Sequence, residues 1–259
     1  MACAAGCLSA IPLAAAMVAP GDPGWLALLL LGALGGLLLL DDTALAQTWF
    51  SQPLPVAVLT GAFCGDPLTG LALGLPIQLI LAGNLPVGQS FIGDPVPPMV
   101  AVVGAAVLAG DGLQPTLGAA AAELPLVGWL VLAVGLFSSG GHLLVLGERR
   151  AHTLWMLEGH RTLRDGRLAR IDRLQARCLV FTFLRGAVTT VLLLLFMARV
   201  WLPAFTHLPT VALRPLAILP LLLPGLGIGN LIGHYGLRSS WRWVASGALV
   251  SFVLTRYVL

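Results

Sequence analysis

Residues 65–98 read GDPLTGLALGLPIQLILAGNLPVGQSFIGDPVPP. The stretch is apolar enough to enter a membrane. Yet it carries Asp66, Thr69, Gln78, Asn84, Gln89 and Asp94, and it is interrupted by Pro67, Pro76, Pro86, Pro95, Pro97 and Pro98. Lipid tolerates irregular backbone only where protein or a water-filled cavity covers it. Polar side chains at membrane depth are costly, so they face a bundle interior or a substrate path. A broken, polar-dotted hydrophobic hairpin is therefore the sequence pointer to a transporter's substrate site.

The rest of the chain agrees with a membrane setting. Of 259 residues, 58% are hydrophobic and 10% are charged, against about 25% charged in an ordinary soluble domain. An all-α integral membrane protein is expected: a multi-span helical bundle with broken or re-entrant helical hairpins. All 14 positive side chains are Arg, and eight of them fall between Arg149 and Arg177. That segment lacks the interleaved aromatic platforms of single-strand binders, so no nucleic acid is expected. The four Cys and five His form neither CxxC nor HExxH, so no metal or cofactor is expected.

Residues 1–20 read as an apolar N-terminal extension interrupted by Pro12, without the charged start of a signal peptide. Residues 21–259 read as one transmembrane domain. The run from Trp25 to Leu40 ends at Asp41-Asp42 and is close to the lower limit for a span, about 17 residues. Residues 43–55 read as an interfacial segment with Trp49 and Phe50 at headgroup level. Residues 148–177 read as a basic cytoplasmic arm. There Leu168, Ile171, Leu174 and Cys178 recur at helical spacing, with Arg170, Arg173 and Arg177 on another face. The stripe runs into a span at 178–202, in which Arg185 is expected to snorkel. Residues 209–236 are dotted with Pro215, Pro220, Pro224 and four Gly, and are expected to be broken. One interrupted segment in each half suggests an internal inverted repeat.

Residues 40–98 carry a more specific signal. LDDTALAQTWFSQPL followed by TGAFCGDPLTGLALGLPIQLILAGNLPVG resembles the membrane IIC component of the mannose/fructose/sorbose class of the bacterial phosphotransferase system. The matching positions are Leu40, Asp41, Thr43, Gln47, Ser51, Pro53, Leu54, Gly61, Gly65, Asp66, Thr69, Gly70, Gln78, Leu81 and Gly88. The resemblance implies a hexose path through the bacterial inner membrane and no catalytic residue of its own. It implies a IID-type membrane subunit, IIA and IIB phosphocarriers, and an oligomer of IIC–IID pairs. The chain departs from the family in two places: Gln78 stands where Glu is usual, and the segment after Gly88 is longer, reading SFIGDPVPP. The alternative is a transport-inactive or regulatory membrane anchor.

Substrate contact is expected from Asp66, Thr69, Gln78, Asn84, Gln89 and Asp94, between the segments 65–98 and 215–236 near the midplane. Each has a competing structural reading. Asp66-Pro67 and Asp94-Pro95 both suit a helix N-terminus, where a carboxylate caps and Pro lacks the unused N–H. The resemblance favours sugar contact for Asp94, because the family places an Asp in this turn. Gln78 lies in the middle of an apolar run with no capping role available and needs a partner, since a buried unpaired amide costs about 1–3 kcal/mol. Asn84 and Gln89 lie beside Gly83 and Gly88, where a turn would use them. Thr69 can bond back to its own helix. An intramembrane aspartyl protease would need a Tyr-Asp partner motif, which the chain lacks.

Overall fold

The computed structural model describes residues 24–43, 47–81, 93–109, 124–164, 166, 169–236 and 241, 242, 245, 246 and 249. All elements among them are helical: α1 (Trp25–Thr43), α2 (Pro53–Cys64), α3 (Pro67–Leu81), α4 (Val96–Leu108), α5 (Leu124–Gly140), α6 (His142–Arg164), α7 (Ala169–Phe196), α8 (Leu202–Thr206) and α9 (Thr210–Tyr235). A π-turn, Met197–Trp201, joins α7 to α8.

The core is built around α4. Its residues from Val96 to Ala106 are all buried. Pro97 and Pro98 do not break it, because they occupy its first turn, where no intrahelical N–H is needed. Met99, Val100, Val102 and Val103 pack into one cluster with Leu31 of α1, Val56 of α2, Leu73 of α3, Leu130 of α5 and Leu194 of α7. Around this centre α1 lies along α7. Gly32 and Gly36 face the Ala187 and Phe183 carbonyls and Gly35 faces the Thr190 side chain, the small-residue contact by which membrane helices approach without a hydrophobic drive.

Residues 53–81 fold as a short helical hairpin of α2 and α3. Gly65 ends α2 in the left-handed conformation, at φ 102°, which costs Gly little. Asp66 then caps α3: its Oδ1 accepts from the N–H groups of Leu68 and Thr69, at 3.1 and 3.2 Å. Pro76 lies inside α3, so this Pro does not end the helix. The interfacial loop after α1 is tied by Asp41, which accepts from the Thr48 N–H (2.8 Å), the Thr48 hydroxyl (2.7 Å) and the Ser51 N–H (3.1 Å). Trp49 and Phe50 are exposed on it, as an interfacial segment requires.

Among the described residues, four helical stretches are long and apolar enough to cross a membrane: Trp25–Asp42, Leu124–Arg164, Arg170–Thr206 and Thr210–Gly229. The chain is a multi-pass membrane protein. Residues 215–235 depart from expectation. They are not broken; Pro215, Pro220 and Pro224 all lie within the continuous helix α9. Membrane helices tolerate such Pro because neighbouring groups and small local adjustments satisfy the freed carbonyls.

The basic arm takes up the ends of two helices, α6 and α7. It is the end of a hairpin in which α6 and α7 run antiparallel, joined by Glu158 to Arg170 at 3.0 Å and by Trp155 edge-on to Phe181 at 5.4 Å. Leu124–Arg164 is 41 residues long, about 60 Å of helix against a hydrocarbon core of about 30 Å. Together α5 and α6 are therefore longer than one crossing needs. The loop's Arg content is the reason to expect it in the cytoplasm. A single Cys replacing Arg161, with the native Cys replaced, is expected to react with an impermeant maleimide only after the cells are opened. Labelling of intact cells would reverse the orientation.

At the opposite end, Trp129 of α5 and Trp201 of the π-turn stack at 4.2 Å between ring centroids. Each indole N–H donates to the other residue's carbonyl, at 2.9 and 3.2 Å. From Thr182 to Trp201 the helical rise is about 29 Å, close to one hydrocarbon thickness.

Candidate functional site

Asp94 precedes α4 and its backbone N–H donates to the Ser138 carbonyl of α5 at 3.1 Å. A Cβ on Gly141, at the α5–α6 junction, would come 2.9 Å from the Asp94 Cβ, so the glycine makes room for the acid. The Asp94 carboxylate forms an ion pair with Arg185 of α7. Arg185 also places its Nε 2.7 Å from Oε2 of Glu148 on α6. The Thr182 hydroxyl, one turn before Arg185, donates to Glu148 Oε1. His152 Nε2 lies 3.8 Å from the same oxygen. The three charged side chains are 4% (Asp94), 9% (Glu148) and 11% (Arg185) exposed.

This corrects the expectation for Arg185. It does not snorkel; it turns inward between two carboxylates on other elements. The physical reason is that Asp94 and Glu148 need a cation to be charged at that depth, and Arg presents several donors in a fixed fork. Glu148, counted by sequence with the basic arm, belongs to the interior.

The cluster forms one wall of a cavity of about 370 Å³. Asp42, Ser51, Gln52, Arg149, Gln175 and Thr182 also line it. Carboxylates (Asp42, Asp94, Glu148) outnumber guanidinium groups (Arg149, Arg185) on these walls. The cavity lies at the C-terminal end of α1, where Leu39 and Asp42 line it. Its other described walls come from the loop before α2, Pro53 of α2, Leu81 of α3, the segment 93–95 before α4, α6 and α7, and none comes from 215–236.

The expected site residues are placed as follows. Asp94 is in the cavity wall. Contrary to the expectation from its own run, Gln78 has a capping role, because another helix supplies one: its Oε1 accepts from the Leu54 N–H at 3.2 Å in the first turn of α2, and its Nε2 lies 3.5 Å from the Gln52 side chain. Gln52 faces the cavity. Asp66 and Thr69 are bonded to each other at the start of α3, away from these walls. Asn84 and Gln89 lie outside the described residues. The sequence reading did not single out Glu148, Thr182, His152 or Asp42. The available signal was Arg185 itself: an Arg several residues into an apolar run asks for a carboxylate partner.

A polytopic helical bundle with an acceptor-rich cavity defines a membrane protein of the transporter class. The family model EII-Sor, described as the sorbose-specific IIC component of the phosphotransferase system, matches residues 25–258. The chain belongs to that family. It is a transporter component and not itself the catalyst of a reaction. No curated protein sequence matches the chain. It is similar to a chain of a solved cryo-electron-microscopy structure described as mannose transporter ManYZ with microcin E492. The match covers 90% of this chain and 91% of that one, at 19% identity and a TM-score of 0.44.

Proposed function

We propose that this chain is the sugar-translocating IIC subunit of a phosphoenolpyruvate-dependent phosphotransferase system in a bacterial inner membrane. It binds a hexose at the Asp94 cavity, works beside a IID-type subunit in an oligomer of such pairs, and hands the sugar to a IIB phosphocarrier charged by IIA. The observation that carries the reading is the cavity itself, in a chain of this family. A hexose offers several hydroxyl donors, and fixed carboxylates accept them by charge-assisted bonds about twice as strong as neutral ones. The volume of about 370 Å³ lies in the range of small-molecule sites. Gln78 contributes through Gln52 and the first turn of α2, and Asn84 and Gln89 are kept as proposed sugar contacts. The capping geometry of Asp66 and its bond to Thr69 account for those two residues without a sugar.

The test is hexose binding to the IIC–IID complex in lipid nanodiscs. Asp94→Asn is expected to weaken binding about tenfold, which is about 1.4 kcal/mol. Its melting temperature should hold, because Arg185 keeps Glu148. Gln78→Glu retains the acceptor for the Leu54 N–H, whereas Gln78→Leu removes it, so Leu should lose affinity and Glu should retain it. Parental affinity in both Asp94→Asn and Gln78→Leu would overturn the site. A parent complex that binds no hexose would favour the transport-inactive anchor.

A further inference from the structure

A second cavity, of about 440 Å³, adjoins the first. Ile77 and Ile80 line it from α3, and Val134 and Gly135 from α5. Leu81 and Gly93 line both this chamber and the Asp94 cavity. The partition between them is thin. Gly93 contributes no side chain, and Leu81 is the last residue of α3, with a side chain that can change rotamer. The chambers are also tied through one residue: Ser138 lines the second, and its carbonyl accepts from the Asp94 N–H of the first.

The two differ in chemistry. Asp42, Asp94, Glu148, Arg149 and Arg185 all face the first. The described walls of the second hold no Asp, Glu or Arg, and their polar residues are Ser138, Ser139 and His142. Ser139 is satisfied within its own helix, where its hydroxyl donates to the Gly135 carbonyl at 2.9 Å. Such back-bonding is what a serine inside a helix ordinarily does. Ser138 does not. It is 8% exposed, and its Oγ has no hydrogen-bond partner among the described residues. A buried hydroxyl without a partner is costly, so this one is a contact point for something in the chamber.

Size and polarity narrow what that is. About 440 Å³ lies in the range of small-molecule sites and far above the roughly 30 Å³ of one water. A free sugar does not suit these walls, because each hydroxyl buried against Ile77, Ile80 or Val134 would lose its hydrogen bonds. An apolar group carrying one oxygen does suit them. We infer that the second chamber is a subsite for the apolar substituent of a glycoside. The sugar ring lies in the Asp94 cavity, an alkyl or aryl group on its anomeric oxygen passes Leu81 and Gly93, and one hydroxyl on that group pairs with Ser138. The inference rests on the hexose reading of the Asp94 cavity and extends it to sugars that carry such a group.

The experiment measures binding to the IIC–IID complex in lipid nanodiscs, with empty nanodiscs as the blank. The probes are a panel of aldohexoses and ketohexoses, then the methyl, propyl and butyl glycosides of the tightest binder, in both anomers. In one anomeric series affinity is expected to rise about three- to fourfold for each methylene buried. Gly135→Leu and, separately, Ile80→Phe add bulk to the chamber walls. Each is expected to flatten that series while the free hexose binds as in the parent. The helix tolerates the first change, since a Cβ on Gly135 would meet nothing within 4 Å. Among the phenyl and hydroxyphenyl glycosides, one hydroxyl position is expected to bind at least threefold tighter than phenyl, an advantage that Ser138→Ala removes. No such preference in the parent overturns the Ser138 contact. A slope that persists in both bulky variants overturns the subsite and places the substituent in lipid. A parent that binds hexose but gains nothing from any substituent sinks this inference alone; a parent that binds neither hexose nor glycoside sinks the hexose reading with it.

Discussion

Replacing Arg185 by Met is expected to destabilise the protein by about 3–5 kcal/mol, the cost of leaving buried charges without their partner. Met fills much of the same space, so the loss is electrostatic. Asp94 and Glu148 would face each other across the vacated position at 4% and 9% exposure, with the Thr182 hydroxyl as a neutral donor. The measurement is the thermal midpoint of the purified protein together with folded yield. Asp94→Asn is the internal contrast: it removes one carboxylate and leaves Arg185 paired with Glu148. Adding Asp94→Asn and Glu148→Gln to Arg185→Met should recover most of the loss, since neutral groups of similar shape remove the unpaired charge. An Arg185→Met protein that melts with its parent would mean that water reaches the cluster freely.

The second large effect is steric. Gly70 of α3 lies against the backbone of α2, and a Cβ there would overlap the Ala57 carbonyl. A carbonyl in a helix cannot swing aside as a flexible side chain does, so Gly70→Ala must part the two helices. The expected cost is about 3 kcal/mol, the upper part of the range for overpacking. Gly229 of α9 is the control, because a Cβ there meets nothing within 4 Å. Gly229→Ala should be neutral or stabilising by about 0.5–1 kcal/mol, from Ala's advantage within a helix. Opposite signs in the two melting shifts are the expected result. Equal shifts would mean that the hairpin is not packed at backbone contact.

These two sites show where sequence reading succeeds and where it stops. The Asp66-Pro67 pair announced a helix start, and the structure has one, because capping is a local property of a few adjacent residues. The membrane class was legible for a similar reason: it follows from summed composition. Gly70 was legible only as a matched position in a resemblance. What it touches is thirteen residues away in sequence, and nothing local marks Ala57 as its neighbour. Arg185 was visible as a charge in an apolar run. Its partners are 91 and 37 residues distant, one before a proline and one in a stretch dominated by Arg. A composition average hid Glu148, because net charge says nothing about which side of a helix an acid faces. The prolines of α9 misled in the other direction: in water each would argue for a break, whereas a helix packed among others can keep its course.

The paired indoles at Trp129 and Trp201 have a mechanical consequence. They clamp α5 to the end of α7, so α7, with α1 packed along it, is pinned to α5 at one end. Arg185 lies 16 residues from that clamp and the start of α7 at Ala169 lies 32 residues from it, about 24 and 48 Å of helix. If α7 rocks as a rigid body about the clamp, its free end travels twice as far as Arg185. By the same leverage, a lateral force applied at the free end exerts twice that force at Arg185. A push at the far end thus reaches the charged cluster geared down in distance and geared up in strength.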